Sequence, residues 1–165
     1  MTEKQQDFEQ LFVNGTRDLQ NGQPRKAVPL LERAHELRPD DVDAALNLGG
    51  ALILTKKFRK AVSILEPLST EHPENAMIWI NLGAAYLGNP VLARDDEQRR
   101  AISAFERALD INPVAHSVAY NIGLIYRDRR EFDEAIYWFN QAVQHNPQDD
   151  DARRMLKKLQ DFAAG

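Results

Sequence analysis

Apolar residues recur along this chain on helical spacing, in two stripes separated by a turn. Trp79, Leu82, Gly83 and Tyr86 fall at i, i+3, i+4 and i+7, one face of a helix. Ala101, Phe105 and Ala108 make a second stripe, which Pro113 ends because proline cannot continue a helix interior. Glycine and alanine within the stripes predict a close crossing of the two helices, with the neighbouring aromatic or leucine filling the remaining gap. Asp40 and Asp41 before Val42, and Asn75 before Ala76, read as N-caps of the helices that follow.

The same arrangement occurs four times. Gly15, Gly49, Gly83 and Gly123 are spaced 34, 34 and 40 residues apart. Ala27, Ala61, Ala101 and Ala135, and likewise Pro39, Pro73, Pro113 and Pro147, are spaced 34, 40 and 34. Glycine to alanine takes 12 residues in copies one, two and four but 18 in copy three, so six residues are inserted between Gly83 and Ala101. After Pro147, Ala152, Met155, Leu156, Leu159 and Phe162 form an apolar stripe backed by Arg153, Arg154, Lys157 and Lys158, as the capping helix of a stack requires. Four pairs and a cap predict nine helices. Pro29 and Pro67 fall inside second helices, where kinks rather than breaks are expected.

With 21 Lys+Arg against 25 Asp+Glu, the net charge is −4, which disfavours phosphate backbones and anionic lipid as partners. Cysteine is absent, excluding disulfides, thiolate zinc sites and cysteine nucleophiles. No basic segment followed by an apolar core opens the chain, so a cytoplasmic location is expected. The uncharged run from Asn75 to Ala93 is interrupted by Asn81, Asn89 and Pro90 and reads as a buried helix rather than a membrane span. Phosphate-cradling and nucleophile-elbow motifs are missing. His35, His72, His116 and His145 are scattered, without a zinc-binding spacing. Asp95, Asp96 and Glu97 suit a helix N-terminus better than a calcium loop. No enzyme activity, cofactor, metal, nucleic acid or membrane insertion is expected.

Trp79, Leu82, Gly83, Tyr86, Ala101, Phe105 and Pro113 together resemble the tetratricopeptide repeat signature. Copy four matches it with Ile122, Gly123, Tyr126, Ala135, Phe139, Ala142 and Pro147, and copy two with Leu48, Gly49, Leu52, Ala61, Leu65 and Pro73. Copy one is weaker, carrying Asn14 and Asp18 at apolar positions. The resemblance implies an all-α, right-handed α-α superhelix (a solenoid) of four helix-turn-helix repeats plus a C-terminal capping helix. One domain over 4–162 is expected, with repeats at about 8–41, 42–75, 76–115 and 116–149 and a cap at 149–162. It further implies a non-catalytic scaffold that binds a peptide or helical segment of a protein partner in its concave groove.

Helical spacing puts Asp43, Leu46, Asn47, Gly50 and Leu54 on the groove side of copy two, Met77, Ile80, Asn81 and Ala84 in copy three, and Ser117, Tyr120, Asn121 and Leu124 in copy four. Asn47, Asn81 and Asn121 each stand two residues before the repeat glycine. An amide can pair with the N–H and C=O of any extended chain, while Leu46, Ile80, Tyr120 and Leu124 select side chains. This is similar to the asparagine ladder of O-linked N-acetylglucosamine transferases and of the peroxisomal import receptor. The alternative role for these amides is to bridge adjacent helices. The carboxylate clamp of heat-shock co-chaperones is not matched: Phe12, Thr16, Asn47, Met77 and Asn81 stand at its positions, and Asn47 alone agrees. Arg127, Arg154 and Lys158 are expected to converge at the far end. Val91 and Leu92, in the Gly88–Arg94 insertion, either meet a partner or pack back on their repeat. A competing functional reading is self-assembly into a homo-oligomer through the terminal repeats, with Phe8 and Phe12 as an open apolar face.

Overall fold

The computed structural model describes residues 3–115 and 117–163. Among them are nine helices in four antiparallel hairpins and a cap. These are α1 (Glu3–Gln20) with α2 (Pro24–Leu37), α3 (Val42–Leu54) with α4 (Phe58–Glu71), α5 (Ala76–Leu87) with α6 (Asp95–Ile111), α7 (Val118–Asp128) with α8 (Phe132–His145), and α9 (Asp150–Ala163). Each helix packs on its hairpin mate and on the next helix in the chain, and α1, α3 and α5 also touch in series. The result is an all-α solenoid.

The repeat glycines set how closely each hairpin closes. A Cβ on Gly15 or Gly49 would lie 2.7 Å from Leu31 or 2.8 Å from Leu65, and one on Gly83 or Gly123 would lie 2.7 Å from the Phe105 ring or 2.9 Å from the Phe139 ring. Leu31, Leu65, Phe105 and Phe139 are buried, as are Ala27, Ala61, Ala101 and Ala135 four residues before each of them. Small residue against large is therefore the closure device in all four copies.

Side chains stop and start the helices as their chemistry dictates. Asp41, rather than Asp40, caps α3 by accepting the Ala44 N–H at 2.9 Å, Asn75 accepts that of Met77 at 3.0 Å, and Asp149 accepts that of Ala152 at 2.9 Å. The Glu97 carboxylate accepts the Arg94 N–H at 2.8 Å at the start of α6, the role expected of this acidic run. Helices α2 and α4 run unbroken through Pro29 and Pro67, both exposed.

Three of the four hairpin turns share one geometry that the sequence does not advertise. Gly22, Lys56 and Arg130 all adopt positive φ, at 70°, 62° and 64°. Around them the N–H groups of Gln23, Lys57 and Glu131 donate to the carbonyls of Asp18, Leu52 and Tyr126 at 2.8, 2.8 and 3.0 Å, closing a Schellman motif each time. Glycine suits that backbone; lysine and arginine tolerate it at a cost. The third hairpin lacks this turn. Its inserted residues extend the loop and give α6 17 residues, against 14 in α2, α4 and α8.

Candidate functional site

The first helix of each hairpin presents one buried and one open side. In α3, Ala45, Leu48, Gly49 and Leu52 are buried, whereas Leu46, Asn47 and Gly50 are half-buried and Asp43 and Leu54 exposed. A Cβ built on Gly50 would meet no atom within 4 Å, so this side faces open space. In α5, Met77 is exposed and Ile80, Asn81 and Ala84 half-buried; in α7, Tyr120, Asn121 and Leu124 are half-buried.

The three asparagines are not in equivalent situations. Asn47 Nδ2 donates to Thr16 Oγ1 on α1 at 2.9 Å, so this amide bridges adjacent helices. Among the described residues, the Asn81 and Asn121 side chains make no hydrogen bond. The difference comes from α1, which places a hydroxyl within reach of Asn47, while Gly50 and Ala84 at the corresponding places on α3 and α5 offer none.

The apolar members split likewise. Leu46 and Ile80 pack at the edges of the two larger core clusters. Tyr120 and Leu124 pack, as do Met155 and Leu156 of the cap, against the cluster of Ala135, Phe139 and Leu159, with the Tyr120 and Phe139 rings 5.5 Å apart, so the cap helps to cover the fourth position. Burial pushes the Tyr120 phenol above its ordinary value, reinforced by Asp151 and opposed by Arg127.

The expected cationic end is internally matched. The Arg127 guanidinium donates to Asp128 at 2.6 Å and lies 3.6 Å from the Met155 sulfur, and Arg154 donates to Asp151 at 2.7 Å. Of that trio, only Lys158 has no ion pair among the described residues. Of the two residues suggested for an open apolar N-terminal face, Phe12 is half-buried at the edge of the core and Phe8 faces inward. Phe8 is 2 % exposed, packs with Ala34 and Ala44, and carries the Arg38 guanidinium 4.0 Å from its ring centre. Its place on α1 turns it inward against α2 and α3. Exposed apolar side chains stand instead at Val13, Leu54 and Met77 on the first three hairpins.

No helix of the described residues is long and apolar enough to cross a membrane, and no group of three or more His, Asp or Glu there has a metal-binding arrangement. His116 lies outside the described residues.

Stacked hairpins of this kind, with a partly open face on α3 and α5, define a helical-repeat solenoid. Two family models described as tetratricopeptide repeat match residues 18–86 and 91–152, and the chain belongs to that family. The peroxisomal targeting signal receptor of Candida albicans is 25% identical over 104 residues, covering 61% of this chain and 17% of the receptor. Human tetratricopeptide repeat protein 7B is 26% identical over 148 residues, covering 84% of this chain and 18% of that protein. The chain thus spans less than a fifth of the length of these two curated relatives. Among solved structures, a thermophilic tetratricopeptide repeat protein of Thermus thermophilus superposes with a TM-score of 0.76 over 92% of this chain and 80% of its own, at 22% identity. That likeness shows the fold.

Proposed function

We propose that the protein is a non-catalytic scaffold whose concave groove holds an extended peptide or helical segment of a protein partner. The observation carrying this reading is the open side of α3 and α5. Gly50 faces empty space, Leu54 and Met77 are 63 % and 54 % exposed, and the nearby Asn81 amide makes no hydrogen bond among the described residues. Apolar side chains beside a free amide provide both burial and backbone pairing. Leu46, Ile80 and Asn81 form the centre of the reading, with Tyr120, Asn121, Leu124 and Arg127 at the cap end and Asn47 supporting the groove wall. The similarity to a targeting signal receptor, by its name a protein that receives such a signal, fits the same use.

Ordering a flexible ligand offsets much of the gain, so affinity near micromolar, about 8 kcal/mol, is the expected scale. The test is selection from a displayed random-peptide library followed by calorimetry on the parent and on Asn81→Ala/Asn121→Ala. The double variant should bind roughly tenfold more weakly with an unchanged melting temperature. Equal affinity would remove the two amides from the site.

A further inference from the structure

The six inserted residues build a second concavity, away from the groove. Gly88, Asn89 and Leu92 on the loop side, with Phe58, Val62 and Tyr86 opposite, wall a cavity of about 470 Å³. Hairpins one, two and four close their turns with the Schellman motif instead. The walls are largely aromatic and aliphatic, and the rim carries both signs, with Arg59, Arg94 and Arg100 standing beside Asp96 and Glu97. Arg94 is matched by Asp96 and Glu97, and Arg100 by Glu66. Arg59 makes no ion pair among the described residues, although its charge helps hold the Glu97 carboxyl low, and the excess positive charge comes from Lys56 and Lys57, which share an adjoining hollow with Phe58 and Arg59 and make no ion pair among the described residues. Helix α4 begins at the same spot without a side-chain cap, so the positive end of its dipole adds to the rim.

This local excess of cations stands in a chain of net charge −4. Beside it, Val91 and Leu92 are 90 % and 74 % exposed, which is costly in water unless something covers them. Apolar walls alone would name no occupant; the unmatched cations do, because they favour an anionic partner and repel a basic one. A flat anionic bilayer would meet the cations yet leave the walled cavity unfilled. We propose that this edge is a second binding site, which takes an acidic peptide segment carrying an aliphatic or aromatic anchor. The anchor enters between Phe58, Val62 and Tyr86 under Leu92, and flanking carboxylates lie on Lys56, Lys57 and Arg59. The volume is in the range of sites that enclose such groups.

The probe is a short fluorescein-labelled peptide with a Leu-Phe centre and Glu-Asp flanks, titrated by anisotropy against the full chain. Saturable binding that weakens with added salt is expected, and a Lys-flanked peptide with the same centre should not bind. Leu92→Ser and Arg59→Glu, both at exposed positions, should each weaken binding about tenfold, whereas Asn81→Ala/Asn121→Ala should leave it unchanged. No saturable binding of the acidic peptide, equal binding of the Lys-flanked peptide, or indifference to Leu92→Ser and Arg59→Glu would overturn the proposal. Loss of binding in the asparagine variant would assign the peptide to the groove and overturn it equally. Co-sedimentation with phosphatidylserine vesicles but no peptide binding would make the patch a membrane contact and likewise overturn it.

Discussion

Two seams of the stack occupy equivalent places and are built from opposite charge logic. Between the second and third hairpins, Glu66 accepts hydrogen bonds from the Tyr86 hydroxyl, at 2.7 Å, and from Arg100, whose guanidinium lies 3.9 Å over the Tyr86 ring. The seam before it uses Glu32 and Lys60, 2.7 Å apart, in the same register. Between the third and fourth hairpins the corresponding residues are Glu106, Tyr126 and Glu134, two acids where an acid and a base stood. Burial pushes both the Tyr126 phenol and the Glu106 carboxyl upward, and Glu106 and Glu134 each add to the shift at Tyr126. What joins this seam is Arg129, which donates to Asp95 and Gln98 near the start of α6. Helices α6 and α7 also share a smaller interface than α4 and α5. A solenoid's strength is thus local, set seam by seam rather than by the family pattern.

The largest effect is expected from Phe139→Ala, which empties the space under Gly123. A loss of about 3–5 kcal/mol is expected, concentrated in the fourth hairpin and cap. Hydrogen exchange should show those amides opening ahead of α3 and α4; a uniform change would mean that the seams are equally strong. Converting the strong seam to the weak pattern with Arg100→Glu should cost about 1 kcal/mol, read from urea unfolding. Arg130→Gly and Lys56→Gly, each relieving positive φ, should each add about 0.5–1 kcal/mol, measured by melting temperature.

The reverse conversion, Glu134→Arg, should pair with Glu106 and add roughly 0.2–1 kcal/mol. The smallest effect is in pH. The Glu106 carboxyl titrates above its ordinary value, so the fold binds more protons there than the unfolded chain, and stability falls as pH rises through that range. Asp95, held low chiefly by Arg129, and Glu97, held low by the Arg94 N–H, act oppositely: their contribution is lost as pH falls through their folded values. Carboxyl NMR titration should place Glu106 above the ordinary glutamate value and Asp95 and Glu97 below theirs.

Much of the fold was legible in the sequence because it rests on side-chain size, and size recurs with the repeat. Gly83 with Phe105 and Gly123 with Phe139 announce a crossing by their spacing alone. The turn geometry was harder to see, since Lys56 and Arg130 carry no mark of positive φ; their alignment with Gly22 was the available signal. The site was less legible still. Asn47, Asn81 and Asn121 look alike along the chain, yet only Asn47 finds a hydroxyl, because Thr16 comes from a different repeat. Phe8 reads as a free apolar residue until α2 and α3 close over it. The insertion was visible as six extra residues, but its cavity depends on Phe58 and Val62, which belong to the preceding hairpin.

Because each hairpin, among the described residues, packs chiefly on its neighbours, tension applied at the two ends of the chain is borne mainly by the seams between them. Such a chain yields by shedding hairpins in turn, with the seam held by Arg129 giving way early, and the remainder stays coiled like a spring with one soft winding.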